Sequence, residues 1–126
     1  MRGGTVRPLR IIVTTDDAER LRGALMLAGA QAALGCAATV FLQLDAVVLV
    51  RGAMGAPRDG ALRDAGLPTL AQLLEEAMAL GVEISACQSG MAVQGMTMAD
   101  LPEGFKVTGP VAFLQATGDE ARLLIA

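Results

Sequence analysis

The chain has 126 residues, of which 53% are hydrophobic and 18% charged, with a net charge of −3. That is enough sequence for one domain with a buried core, and it excludes a disordered chain. The acidic balance with a single lysine, Lys106, excludes a basic face for nucleic acid, and the lack of histidine, tryptophan and tyrosine removes Ser-His-Asp and Cys-His catalysis, histidine-held metals and most stacking platforms.

Leu9–Val13 is a β-branched run that predicts a first strand. The Thr14-Thr15-Asp16-Asp17 stretch after it supplies caps for a helix from Ala18 to Leu34, which Gly35 stops. Ala38–Leu42 reads as a second strand and Asp45–Val50 as a third. Arg51–Pro68 is a long glycine-rich connection, of the kind that is commonly functional or mobile. Thr69–Leu80 predicts a helix with Leu70, Leu73, Leu74, Ala77 and Met78 on one face, ended by Gly81. Val82–Cys87 is a fourth strand, and Gln88–Met98 is helical in character despite Gly90 and Gly95. Val107–Gly109 suits a turn or short strand, Val111–Thr117 a last helix, and Ala121–Ile125 a final strand. Strands alternating with helices, without repeat or linker, predict one domain over residues 1–126. Its fold class is a three-layer α/β/α sandwich on a mostly parallel five-stranded sheet.

Two segments test that reading. Gly23–Leu44 carries no charge and is long enough to cross a bilayer. Its glutamines, glycines and small alanines, between charged flanks, parse instead as buried helix, glycine stop and strand, so no transmembrane segment is expected. Met1–Arg10 has arginines but no apolar signal core. With two cysteines and no export signal, the expected setting is a reducing cytoplasm with free thiols.

Ligands of open α/β sheets gather beyond the carboxyl ends of the strands. Cys87 falls there, and Gln88-Ser89-Gly90-Met91 opens the next helix, with Ser89 as a plausible cap and Gly90 leaving backbone amides uncovered. A sulfur against a helix N-terminus meets the positive end of the peptide dipoles and free N–H donors, which favour thiolate over thiol. Thiolate is the form that attacks a persulfide or disulfide. The competing reading is that Cys87 is a small buried hydrophobe. Cys36, at the amino end of the second strand among apolar neighbours, is read as structural. The two lie at opposite ends of a parallel sheet, about 15 Å or more apart, whereas a disulfide needs α-carbons within about 7 Å.

Arg51 and Arg58 are candidates to reach the same crevice and attract an anionic or persulfide group; Lys106 is ambiguous between that role and solvent. The glycines of 51–68 match neither a phosphate loop nor a dinucleotide fingerprint. Asp16 and Asp17 are explained as caps before they are explained as a metal pair. A phosphoacceptor receiver needs a carboxylate where Arg51 stands, and a flavin site needs aromatic walls that Phe41, Phe105 and Phe113 do not provide. No cofactor or metal is called for.

From Ile84 onward a set of segments occurs in order: Ile84-Ser-Ala-Cys-Gln-Ser-Gly-Met91, Gly95-Met96, Met98-Ala-Asp-Leu101, Gly104-Phe-Lys-Val107 and Gly109-Pro-Val-Ala112. Together with the small-residue helix, glycine and strand of Ala24–Phe41, this set resembles the DsrE/DsrF-like family. The resemblance implies a small α/β/α protein assembled into rings, trimers or hexamers, of identical or related subunits. In the members that act in sulfur oxidation and tRNA thiolation, the cysteine matching Cys87 carries a persulfide between partner proteins. On that implication Cys87 is the reactive residue, with Gln88, Ser89, Gly90, Met91 and Arg51 around the sulfur. The chain would then be a sulfurtransferase-type carrier between a donor and an acceptor protein. The alternative is a non-catalytic oligomeric module in which Cys87 is packed and unreactive, and the methionines near it (Met91, Met96, Met98) serve packing or an adaptable partner surface. A sulfur walled off from water and aimed into hydrocarbon would leave the carrier reading without its foundation, and the module in its place.

Overall fold

The computed structural model describes residues 7–126. Five strands, β1 (Leu9–Val13), β2 (Ala38–Leu42), β3 (Glu83–Cys87), β4 (Lys106–Thr108) and β5 (Arg122–Ile125), form one sheet in the order β4-β3-β2-β1-β5. Every pairing is parallel. Around it run α1 (Ala18–Ala33), α2 (Asp59–Asp64), α3 (Leu70–Ala79), α4 (Gln88–Val93) and α5 (Pro110–Ala116). The fold class read from the sequence is thus the one observed.

The apolar stretch Gly23–Leu44 resolves into α1, Gly35 in the left-handed region (φ 81°) and β2, and no helix among the described residues is long and apolar enough to cross a membrane. The first six residues of the Met1–Arg10 stretch lie outside the described ones.

The third predicted strand is a correction. Leu44–Val50 is a 3-10 helix, not a strand. Both neighbours of β2 are already taken, by β1 and β3, so a following strand has no central place to pair. Leu44 takes a positive φ of 50° and turns the chain off the sheet after the Gln43 amide has bonded the Val13 carbonyl at 2.9 Å. Beyond that turn Val47 and Val50 are buried three residues apart, the period of a 3-10 helix, and not on alternate positions. The fifth strand is supplied instead by Lys106–Thr108.

Register separates the two faces, because paired residues of parallel strands share a side and successive ones alternate. Leu9, Ile11, Val13, Ala38, Val40, Leu42, Ile84 and Ala86 form an aliphatic face, buried under α1, which packs on β1 and β2 and in turn against α3. The opposite face carries Arg10, Thr39, Phe41, Glu83, Ser85, Cys87, Lys106 and Thr108. It is covered by α5, anchored where Phe113 stacks on Phe41 with centroids 4.8 Å apart. Such a pair is worth about 0.5–1.5 kcal/mol beyond its burial.

The 51–68 connection is held by one buried cation. Arg22, 5% exposed, donates to Glu19 at 2.8 Å and to Asp59 at 2.6 Å. Asp59 also accepts from the amides of Leu70 and Ala56, and Glu19 from the amide of Arg58, so α1, α2 and the start of α3 are tied together. The hydrogen bond from Arg22, reinforced by the Leu70 amide, holds the Asp59 carboxyl below its ordinary range; Arg22 and then the Arg58 amide do the same for Glu19.

A carboxyl lowered in the folded state stabilises above its unfolded pKa, about 4, and that contribution is lost as pH falls through the folded value. Denaturant midpoints should therefore drop as pH falls from about 5 to 3. Asp59→Asn should be less stable than the parent at pH 7, with the gap narrowing toward pH 3. Curves that stay parallel over that range would show that Arg22 does not hold the connection through charge.

Candidate functional site

The region around Cys87 is built by two strand ends and two helix starts. Cys87 is the last residue of β3 and pairs in register with Thr108, the last residue of β4. α4 begins immediately after Cys87, and α5 begins after Gly109, one residue beyond Thr108. Both helices start without a side-chain cap, whereas α1 and α3 are capped by Asp17 and Thr69. The first-turn amides of a helix have no partner within it. Two helix starts thus follow the Cys87–Thr108 pair, although the Cys87 side chain itself accepts no cap hydrogen bond and Pro110 at the start of α5 has no N–H to offer.

The helix start differs from the expectation in one respect. The cap position is Cys87 itself, with extended backbone (φ −73°, ψ 125°), and Ser89 lies exposed in the first turn. β3 runs directly into α4 with no intervening turn, which leaves Ser89 already helical.

Gly90 has a steric role that composition did not reveal. A β-carbon there would stand 2.2 Å from the Leu44 carbonyl oxygen and 2.9 Å from the carbonyl carbon. α4 lies backbone to backbone on the 3-10 segment, and only glycine permits that approach.

The Cys87 side chain is 2% exposed and belongs to the apolar core, as do Met91 and Met96. Gln88, Met91, Met96, Met98 and Val107 line a shallow depression of about 470 Å³ that Cys87 does not itself line, with Met98 exposed. Gln88 is exposed, its side-chain oxygen close to Gly109. Cys36 is also buried, its sulfur 3.7 Å from the Leu34 carbonyl. Both thiols are free. Cys36 precedes β2 and Cys87 ends β3, which by strand rise separates them by about 20 Å along the sheet.

Of the sequence candidates, Gln88–Met91 surround the helix start by contiguity. Arg51 lies at the other end of α4, where its guanidinium donates to the Gln94 carbonyl at 2.7 Å. There it satisfies a last-turn carbonyl and complements the negative end of the helix. Arg58 meets Glu19 through its backbone amide, and Lys106 pairs with Glu83 at 3.3 Å. Asp17 caps α1 by accepting from the Glu19 amide at 2.9 Å, as the cap reading expects. Among the described residues no group of three His, Cys, Asp or Glu side chains is placed to hold a metal.

Sequence reasoning overlooked Arg10. It stands on the same face of the sheet as Cys87, donates to the Thr117 hydroxyl at 2.7 Å and the Phe113 carbonyl at 3.2 Å, and lies 4.1 Å over the Phe113 ring. Burial lowers its pKa, opposed by the charge of Glu83. A charged residue at the second position of Leu-Arg-Ile-Ile-Val was the available signal.

The DsrE/DsrF-like family pattern matches residues 9–125. Among solved structures, MTH1491 of Methanobacterium thermoautotrophicum, a protein of unknown function, superposes with a TM-score of 0.71 at 17% identity, over 96% of this chain and all of that one. The ychN protein of E. coli gives 0.69 at 20% identity, with 96% and 100% covered. BT1422 of Bacteroides thetaiotaomicron, also of unknown function, gives 0.62 at 17%, with 100% and 99% covered. At these identities the likeness is one of fold. No functionally curated protein matches the chain.

Gly90→Ala should destabilise the protein by about 1–3 kcal/mol, the usual cost of forcing atoms into a filled contact. Equilibrium denaturation measures it, and a loss below about 0.5 kcal/mol, within the ordinary range for surface changes, would mean that α4 has room to move off Leu44.

Proposed function

The chain belongs to the DsrE/DsrF-like family, and from that premise we propose that it works in sulfur relay, with Cys87 as the carrier. The sulfur of Cys87, as thiolate, attacks the outer sulfur of a donor persulfide. A new S–S bond forms at Cys87, the donor's S–S bond breaks, and the donor cysteine leaves as thiolate. Cys87–S–SH then yields its outer sulfur to an acceptor cysteine by the same exchange. Atoms and electrons balance without cofactor, metal or oxidant.

The observation that supports this reading is the place of Cys87 at a strand end, where the starts of α4 and α5 follow the paired residues Cys87 and Thr108. In the relay reading the first-turn N–H groups of α4 would stabilise the sulfur anion once it forms, without the imidazole that this chain lacks. Gln88, Ser89, Gly90 and Met91 supply that first turn; Arg51 enters as the brace of the helix's far end. Exposed apolar side chains on α4, α5 and β5, with Val111 and Ile125 more than 70% exposed, support contacts with copies of this chain or sister subunits, in a trimer or hexamer. A cytoplasmic setting supplies the reduced thiols that the relay requires.

One observation favours a second reading. With Cys87 2% exposed, the sulfur of the single chain is out of a donor's reach. That is the arrangement of a packed thiol in a non-catalytic oligomeric module. In the relay reading, docking of a partner displaces the short α4 or the methionine side chains beside it.

Incubation with a persulfide donor followed by intact-mass measurement tests the proposal. The parent and Cys36→Ser should gain about 32 Da per sulfur accepted, and Cys87→Ser should gain nothing. Loading at Cys36 alone would end the assignment. Iodoacetamide labelling of the folded protein separates the readings further: under the relay Cys87 is alkylated in native buffer well ahead of global unfolding. Under the module it reacts only at the rate of unfolding.

A further inference from the structure

Beneath α5, on the polar face of the sheet, lies a cavity of about 340 Å³. Its floor holds Thr39 and Ser85, 8% and 4% exposed. Both hydroxyl residues line the cavity: Ser85 makes no side-chain hydrogen bond among the described residues, and the Thr39 hydroxyl accepts a long 3.5 Å contact from Arg10. Arg10 forms one wall. All its partners are neutral: the Thr117 hydroxyl, the Phe113 carbonyl, the Phe113 ring and Thr39. No carboxylate comes within ion-pair distance of it among the described residues, and residues 1–6 contain no acidic side chain. At the rim Lys106 and Glu83 pair with each other and cancel. The net charge facing the cavity is therefore the single positive charge of Arg10, half-buried and without a counterion.

A partly desolvated guanidinium is stabilised by an anion, and hydroxyls that line a cavity have a proton to donate to an acceptor placed there. One carboxylate satisfies both. The roof is apolar, made by Phe113 with the alanines of α5, and the volume stands at the small end of the roughly 300–1,000 Å³ usual for ligand pockets. We infer that this cavity is a binding site for a compact monocarboxylate with an apolar body, its carboxylate on Arg10 and the Thr39 and Ser85 hydroxyls, its body against Phe113. The site does not depend on the reactivity of Cys87. It shares the sheet face of Cys87, with Ser85 two residues before it on β3.

Benzoate and benzamide, alike in shape and different in charge, test the inference on the intact protein by amide chemical shifts. Benzoate should give saturable shifts at Thr39, Ser85 and Thr108, and benzamide should bind about tenfold or more weakly, as expected for loss of a charge-assisted hydrogen bond. Arg10→Gln should abolish the difference. Because Arg10 also holds α5, Ser85→Ala provides a milder variant, in which benzoate affinity falls severalfold with the fold intact. Absence of saturable benzoate shifts, equal binding of the two ligands, or an unchanged affinity in Ser85→Ala would overturn the assignment.

Discussion

A missing β-carbon decides where the centre of this molecule sits. At Gly90 the backbone of α4 rests on the carbonyl of Leu44 with no room for a side chain. Leu44 in turn holds its place because it takes a positive φ and diverts the chain from the sheet as soon as β2 ends. The 3-10 segment therefore serves as a shelf at the carboxyl edge, and α4 lies on it. Since β3 passes into α4 without a turn, seating the helix also seats Cys87. Side-chain packing tolerates repacking, but a backbone-to-backbone contact does not. The position of the sulfur is thus set by sterics two elements away, not by any bond that the sulfur makes.

The sheet divides the protein into two kinds of chemistry. One face is aliphatic from β1 to β3 and covered by α1 and α3, and that burial holds the fold together. The other mixes an arginine, hydroxyls, an ion pair and a thiol with one aromatic anchor, and its cover is the seven-residue α5. Polar groups on a sheet's inner face cost stability unless they are matched. Here Arg10 is matched by neutral acceptors and a ring, and the Ser85 side chain makes no hydrogen bond among the described residues and lines the cavity. A face built in this way contributes less to folding than its partner and leaves more of its hydrogen-bonding capacity for ligands.

Much of this was legible in the residues. Leu9–Val13, Ala38–Leu42, α1 with its stop at Gly35, and α3 with its capping Thr69 all carry local signals that agree with the global fold, as consistent sequences do. Val-Val-Leu-Val was misleading because short apolar runs have the same composition in strands and in buried helical turns. What settles it is the occupancy of the sheet positions beside β2, a long-range fact. The ordered segments from Ile84 to Ala112 carried the family, and the family match confirms it. The placement of Cys87 at a strand end was also legible, because Gln-Ser-Gly marks the change of period. Its burial was not, since cover is contributed by residues distant in sequence. Gly90 looked like a helix weakener and is a contact residue. Arg10 escaped notice because one charge inside an apolar strand reads as an exposed alternate position, whereas here it faces a helix that arrives about a hundred residues later.

Burial and reactivity need not oppose each other at the end of a strand. A persulfide exposed to bulk thiols would lose its sulfur to any of them, so a carrier gains selectivity from a shielded atom that opens on docking. Beside Cys87 stand a helix of six residues and, in the same buried core, the unbranched Met91 and Met96. Short helices are held by tertiary packing more than by their own hydrogen bonds. Methionine rearranges readily. Segments of this kind open locally at a cost well below that of global unfolding, whereas the aliphatic face beneath α1 does not. The same asymmetry that leaves one side of the sheet lightly covered therefore places the thiol on the side whose cover is made of short helices.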